Sequence, residues 1–356
     1  MKILYFCNQN KKKGDSFKVM TLEQFLQEWH NGDERLLVHT SGSTDAPKPL
    51  WVSKRRMEAS ARITCAFLGL HEGDTALLCM PLDYIAGKMM VVRSLVWGLR
   101  LLAVEPSGHP LSANNAKNWP TEGIDFAAMV PMQVYNSLHV ADECLRLRSI
   151  RHLIIGGGAI DEALEAELKT FPGAVWSTYG MTETLSHIAL RRLNGPDASA
   201  WYTPFDGVAL SLTADGCLKI DAPHVCGQPL VTRDRAELAE PDERGCRRFR
   251  ILGRMDNVIC SGGLKIQAEE VERALRPFVH VPFMITRCKD EKFGEAVVLL
   301  AEKVEEWDVS RLQSLCRKHL PRYWMPRHFV LVDQLPLTET GKPARQQAEL
   351  LASRFL

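Results

Sequence analysis

No C-x-x-C pair occurs anywhere in the 356 residues; the ten cysteines are scattered, the closest two being Cys217 and Cys226. Scattered cysteines in a chain of this length read as reduced core residues. They exclude a zinc ribbon and a disulfide framework and predict a reducing, cytoplasmic setting. A charge excess is also missing. Lys+Arg 44 against Asp+Glu 43 leaves a formal net charge of +1, so no global field draws nucleic acid or an anionic membrane, and neither is expected as a partner. The longest apolar stretch, Met89 to Val104, is interrupted by Arg93 and Arg100 and is too short to span a bilayer. The first residues, Met1 to Cys7, lack an apolar h-region with a small-residue cleavage site, and no secretory signal is expected. With 46% hydrophobic and 24% charged residues, the composition excludes a disordered tail protein and a fibre. The length suits about two to three domains.

Strand and helix patterns alternate through most of the chain. Thr21-Leu22-Glu23-Gln24 is a capping box, and Leu22, Phe25, Leu26 and Trp29 follow at helical spacing until Asn31-Gly32. Leu36 to Val38 reads as a short buried strand. Thr75 to Met80, Leu101 to Val104, Phe126 to Val130 and His152 to Ile155 are further apolar runs with helical patterns between them. This alternation predicts a mainly parallel α/β sheet. From about residue 205 the pattern changes, with Asp215-Gly216 joining two strands as a hairpin. A helix over Ala268 to Leu275, a hairpin of Phe283 to Cys288 with Ala296 to Ala301, and a helix from Val309 capped by Asp308 make the last hundred residues a compact α+β unit. The expected division is 1–253 and 254–356.

Four segments carry chemistry. Thr40-Ser41-Gly42-Ser43-Thr44-Asp45-Ala46-Pro47-Lys48 offers hydroxyls, backbone donors and a cation to an anion. Pro47 and Pro49 flank Lys48, which excludes a Walker-type loop. Ser177-Thr178-Tyr179-Gly180-Met181-Thr182-Glu183-Thr184 reads as a hydroxyl-rich turn after a strand. Its one carboxylate suits a phosphate-bound Mg²⁺, and its tyrosine suits stacking on a base. Upstream, Gly156-Gly157-Gly158 permits close approach of backbone to a flat ligand. Thr232-Arg233-Asp234 places a carboxylate beside a strand, where it suits a ribose diol. Gly253-Arg254-Met255-Asp256 and Ser261-Gly262-Gly263 come next. Near the end, Lys342 follows Gly341 on a turn.

In this order and spacing the segments resemble the adenylate-forming superfamily of acyl- and aryl-CoA ligases, luciferases and peptide-synthetase adenylation domains, from about residue 36 to 346. The wording Tyr-Gly-Met-Thr-Glu-Thr is most similar to the o-succinylbenzoate–CoA ligases of menaquinone synthesis. The chain departs from the usual motifs at Asp45, where glycine is common, at Arg233, also commonly glycine, and at Asp83-Tyr84, where Phe-His is common. The phosphate loop begins near residue 40, so most of the long N-terminal subdomain of other members is expected to be missing.

The resemblance implies a large N-terminal sheet-and-helix domain, shortened at its start, and a small mobile C-terminal domain. It implies an ATP-dependent, AMP-forming acid–thiol ligase that uses Mg²⁺ and CoA, with a small carboxylic acid as substrate. Lys342, Glu183 and Thr182 would be catalytic, with Glu183 on the metal. Thr40, Ser41, Gly42, Ser43, Thr44 and Lys48 would embrace the pyrophosphate. Thr178, Tyr179, Gly180, Gly157 and Gly158 would hold the adenine side, Asp234 and Arg254 the ribose, and Gly263 the pantetheine arm. Tyr84, Ser186 and His187 would line the acyl pocket, with Arg191 on the same side as His187. Asp256 would be the hinge about which the small domain swings. A carrier protein as thiol acceptor, another acid, or a nucleotide-binding descendant without catalysis shares these motifs, and the oligomeric state stays open.

Overall fold

The computed structural model describes residues 20–39, 49–117, 119–121, 123–158, 160, 162–337 and 343–355, together with the backbone of 3–5. Thr40, Ser41, Gly42, Ser43, Thr44, Lys48 and Lys342 therefore lie outside the described residues.

The larger unit is organised by an eight-stranded sheet. Its order is Ile3–Tyr5, Arg100–Ala103, Thr75–Leu78, Phe126–Met129, His152–Ile155, Ala174–Gly180, His187–Arg192 and Thr203–Pro204. The first six strands are parallel and the last two turn back antiparallel. Thr75–Leu78 and Phe126–Met129 are buried at every position, as strands covered by helices on both faces must be. Leu36 to Val38 departs from the expected buried strand. It belongs to Arg35–His39, which pairs with Pro49–Ser53 in a separate two-stranded sheet, touches Tyr84 through a bridge at His39, and leaves Leu37 36% exposed. An alternating pattern of this kind marks a strand with one covered face.

The helix Ile85–Trp97 ends at Gly98, whose φ of 73° is left-handed. It is buried from Gly87 through Ser94, as expected for a helix apolar nearly all round. Two cations nevertheless sit in it. Lys88 Nζ lies 3.1 Å from Met20 Sδ and 5.3 Å from the Phe25 ring centroid, tying this helix to the helix Leu22–His30. Arg93 is 2% exposed.

A four-stranded antiparallel sheet follows, built from Ala209–Leu212, Cys217–Asp221, Leu230–Leu238 and Phe249–Arg254. The core of the larger unit runs to Phe249, and the next cores begin at Ile259. The chain between them carries Arg254 and Asp256.

The smaller unit is built on a second mixed sheet. Along its strand Gly294–Glu302, Ala296, Val298 and Leu300 face the helix Arg345–Phe355, while Val297, Leu299 and Ala301 face the helices Ala268–Leu275 and Val309–His319. One continuous apolar run thereby serves two cores. Arg345 donates to both carboxylate oxygens of Glu272, at 2.6 and 2.8 Å, and to the Ile285 carbonyl at 2.7 Å. Together with the Leu337–Pro343 bridge and the Ala344 N to Pro336 O bond of 2.9 Å, this ion pair fixes both ends of segment 338–342. No helix among the described residues is long and apolar enough to cross a membrane.

Glu272 is buried, so breaking its pair leaves an uncompensated interior charge. Arg345→Leu should lower unfolding free energy by about 3–5 kcal/mol, read by urea denaturation. Adding Glu272→Leu should recover most of that loss; a double variant as weak as the single would show that the pair does not act as a unit.

Candidate functional site

The candidate residues converge at the C-terminal ends of the parallel strands, where open α/β sheets bind ligands. Gly156 to Gly158 leave the strand His152–Ile155, and Gly157 has φ 80°. A Cβ on Gly156 would run into Thr178 Oγ1, and one on Gly158 would meet the Pro131 ring at 3.6 Å. The run therefore exposes backbone beside Thr178. Ser177 to Gly180, read from the sequence as a turn, continue the strand Ala174–Gly180 because each pairs across to the returning strand His187–Arg192.

Tyr179 sits among rings, with Phe249 at 5.1 Å and Tyr202 at 5.9 Å between centroids. Its hydroxyl donates to Asp234 Oδ2 at 2.7 Å. Burial and the neighbouring Asp234 charge push its ionisation well above the ordinary phenol range, so the proton stays on this bond. Asp234 N donates to Thr232 Oγ1 at 3.1 Å, and Asp234 Oδ1 lies 3.4 Å from Arg254 Nη1. An ionised carboxylate has about four acceptor positions, which leaves room for a diol. Arg254 also donates to Asp256 Oδ2 at 2.8 Å, while Arg233 reaches Asp256 Oδ1 at 2.5 Å. The arginine that departs from the usual glycine thus grips the aspartate between the two units.

Thr182–Thr184 form a single 3₁₀ turn. Leu185 after it has φ 64°, the one left-handed non-glycine among the described residues, a conformation that needs support from its surroundings. Thr184 Oγ1 supplies it, accepting from Met181 N at 3.0 Å and lying 2.6 Å from the Ser186 carbonyl. Gly180 is required here, since any Cβ would strike the Ser186 carbonyl and the His187 backbone. The turn buries Thr182 and leaves the Glu183 side chain exposed. A single hard carboxylate with no cluster of three metal-ligating groups among the described residues fits Mg²⁺, which keeps most of its shell from water and substrate phosphates.

On the acyl side, Tyr84 is 38% exposed at the start of the helix Ile85–Trp97. His187 is buried, and both ring nitrogens are taken: Nε2 by Thr64 Oγ1 at 3.1 Å and Nδ1 by Ser186 Oγ at 3.2 Å. Burial, reinforced by the nearby Arg93 charge, drives its pKa well below the ordinary value. The expectation that His187 meets a substrate directly is therefore corrected, because the neutral ring has no free donor. Arg191, expected on the same side, does not offer a free cation. It donates to Glu165 at 3.0 and 2.8 Å and is spent on that carboxylate.

The cation of this region is Arg93, which sequence reasoning missed. Its Nη2 donates to Ser186 Oγ at 2.8 Å, Nη1 lies 3.8 Å from Met90 Sδ, and buried Nε has no partner. No carboxylate pairs with it among the described residues. Burial pulls its pKa down to about 10, so it stays charged at neutral pH. The signal was an arginine interrupting the longest apolar stretch.

Gly262 and Gly263 form the two-residue turn between strands Val258–Ser261 and Leu264–Gln267, with φ 59° and 84°. A Cβ on Gly263 would meet nothing within 4 Å. Its backbone conformation accounts for glycine there without reference to a ligand.

The AMP-binding enzyme family matches residues 6–237, and the AMP-binding enzyme C-terminal domain matches residues 288–342. The chain is 25% identical over 360 residues to the 2-succinylbenzoate–CoA ligase of Bacillus mycoides, covering 94% of this chain and 73% of that one. It is 28% identical over 345 residues to the Geobacillus kaustophilus enzyme of the same name, covering 88% of this chain and 69% of that one. Among solved structures, an acyl-CoA synthetase (AMP-forming)/AMP-acid ligase II-like protein from Dyadobacter fermentans is 31% identical, with 92% of each chain covered and a TM-score of 0.59. The Bacillus subtilis o-succinylbenzoate CoA synthetase, solved with ATP and magnesium, shares the fold at TM-score 0.71 and 23% identity, over 87% of this chain and 69% of that one. With strand-end glycines, a Tyr179–Asp234 pair and an exposed Glu183 near the C-terminal ends of the parallel strands, the chain belongs to the AMP-binding enzyme family.

Proposed function

We propose that the protein is an AMP-forming ligase that joins o-succinylbenzoate to CoA through an acyl-adenylate. One observation carries the choice of acid: Arg93 is a buried, charged guanidinium without a carboxylate partner beside the acyl-side residues. A charge so placed costs several kcal/mol until an anion meets it. o-Succinylbenzoate has two carboxylates, one to be activated and one left on the ring. The ring carboxylate supplies that anion, and the 2-succinylbenzoate–CoA ligases among the curated relatives support the same acid.

In the first half-reaction the succinyl carboxylate attacks the α-phosphorus of ATP, and the bond to pyrophosphate breaks. Asp234 holds the ribose through the acceptor positions that Tyr179 and Arg254 leave free. The backbone of Gly157 and Gly158 faces the base. Thr40, Ser41, Gly42, Ser43, Thr44 and Lys48 take the pyrophosphate. Glu183 would hold Mg²⁺, which would neutralise phosphate charge, with the neighbouring Thr182 beside it. Lys342 bridges the carboxylate and α-phosphate, where negative charge builds in the transition state. In the second half-reaction the CoA sulfur attacks the acyl carbonyl, and AMP departs with the bonding electrons. Rotation of the small unit about Asp256 withdraws Lys342 between the two steps, with the Arg233 and Arg254 contacts to Asp256 setting the starting orientation.

Two measurements test this. Arg93→Leu should reduce kcat/KM for o-succinylbenzoate on the order of a hundredfold or more, the scale of stranding a carboxylate opposite a lost cation. The KM for ATP should stay within about twofold. Equal losses for o-succinylbenzoate and for 3-benzoylpropionate, the same acid without the ring carboxylate, would remove Arg93 from substrate recognition. Separately, Lys342→Ala should slow ATP–pyrophosphate exchange on the order of a hundredfold while still converting supplied acyl-adenylate and CoA to thioester. Unchanged exchange would take Lys342 out of the first step.

A further inference from the structure

Three hydroxyl- and imidazole-bearing side chains behind Arg93 form a hydrogen-bond chain with a single consistent proton order. Thr64 Oγ1 lies 3.0 Å from the Ser60 carbonyl. A carbonyl only accepts, so the Thr64 proton is committed there. At the 3.1 Å contact with His187 Nε2, Thr64 must then accept, and the imidazole proton sits on Nε2. The neutral ring presents a lone pair at Nδ1, so Ser186 donates to it across 3.2 Å. With its proton turned away, the Ser186 oxygen meets Arg93 Nη2 as an acceptor at 2.8 Å. Reversing the ring tautomer would set an N–H of Nδ1 against Ser186 and force Thr64 to abandon Ser60. The ring itself is held edge-on against Phe205, 5.5 Å between centroids.

We infer that His187 is a positioning residue: through Ser186 it fixes the direction in which Arg93 is presented, and so sets the preference for an aryl acid carrying a second carboxylate over the same acid without one. This rests on the reading of Arg93 as the receptor of that carboxylate. Ser186, with its proton committed to His187, orients the guanidinium and leaves the remaining guanidinium donors, the unpartnered Nε among them, for the ligand. A serine free to rotate would compete with the ligand's carboxylate or release the guanidinium to other rotamers.

The test compares kcat/KM for o-succinylbenzoate and for 3-benzoylpropionate in wild type, His187→Leu, His187→Asn, Thr64→Val and Arg93→Leu. His187→Leu removes the acceptor for Ser186, and the ratio of the two kcat/KM values should fall about tenfold, the scale of one misdirected hydrogen bond to a charged group. That fall should come through the KM for o-succinylbenzoate. His187→Asn keeps an acceptor near the Nδ1 position and should hold the ratio within about threefold of wild type. Thr64→Val frees the ring tautomer and should move the ratio in the same direction as His187→Leu, so the inference stays testable if the leucine variant does not fold. Equal losses for both acids in His187→Leu and Thr64→Val, or a ratio unchanged in both, would overturn the inference. Arg93→Leu separates the two readings. If it collapses the ratio while the His187 and Thr64 variants do not, the positioning role alone fails; if it too leaves the ratio unchanged, the reading of Arg93 itself fails.

Discussion

A guanidinium sealed inside a protein costs several kcal/mol unless an anion or hydrogen-bond acceptors meet it. Arg93 stands in the most buried stretch of the helix Ile85–Trp97, with one hydroxyl and a thioether for company. Among the described residues no ion pair offsets the desolvation cost of that charge. On the proposed reading, such a cation discriminates in both directions, since an acid with a second carboxylate would offset its cost and an acid without one would not.

The placement of that charge depends on a short piece of backbone that also serves the nucleotide. Gly180 lets the returning strand pass within contact of it, Thr184 braces the left-handed Leu185, and Ser186 emerges aimed at Arg93. The same turn leaves Glu183 exposed. On the proposed reading, acid recognition and phosphate chemistry share this one element, which would hold the reacting groups in register at little entropic cost. Arg254 links Asp234 to Asp256, so the proposed ribose-binding residue and the residue between the two units are connected by a single guanidinium.

The regular elements were legible because local pattern and burial agree. Thr21 and Asp308 cap their helices as the sequence indicates, and the Asp215-Gly216 hairpin and the helix Ala268–Leu275 form as read. Ser177 to Gly180 were read as a turn because hydroxyls and glycine signal one locally, whereas a partner strand ten residues on satisfies their backbone. The resemblance places Ser186 and His187 at the pocket, and alternation along the strand puts Arg191 on the same side as His187. Alternation fixes a face but not a partner, and Glu165, distant in sequence, claims Arg191. Arg93 was visible only as a blemish in an apolar run. Its meaning depends on what packs around it, and no periodicity carries that.

Whether Arg93 receives the second carboxylate of the acid is read most directly from a crystal structure of the protein with a non-hydrolysable analogue of o-succinylbenzoyl-adenylate. A ring carboxylate within about 3 Å of the Arg93 Nε or Nη atoms, with the Ser186 contact retained, is expected. A ring carboxylate facing solvent or another cation, with Arg93 still bonded to Ser186 and Met90, would overturn the proposal.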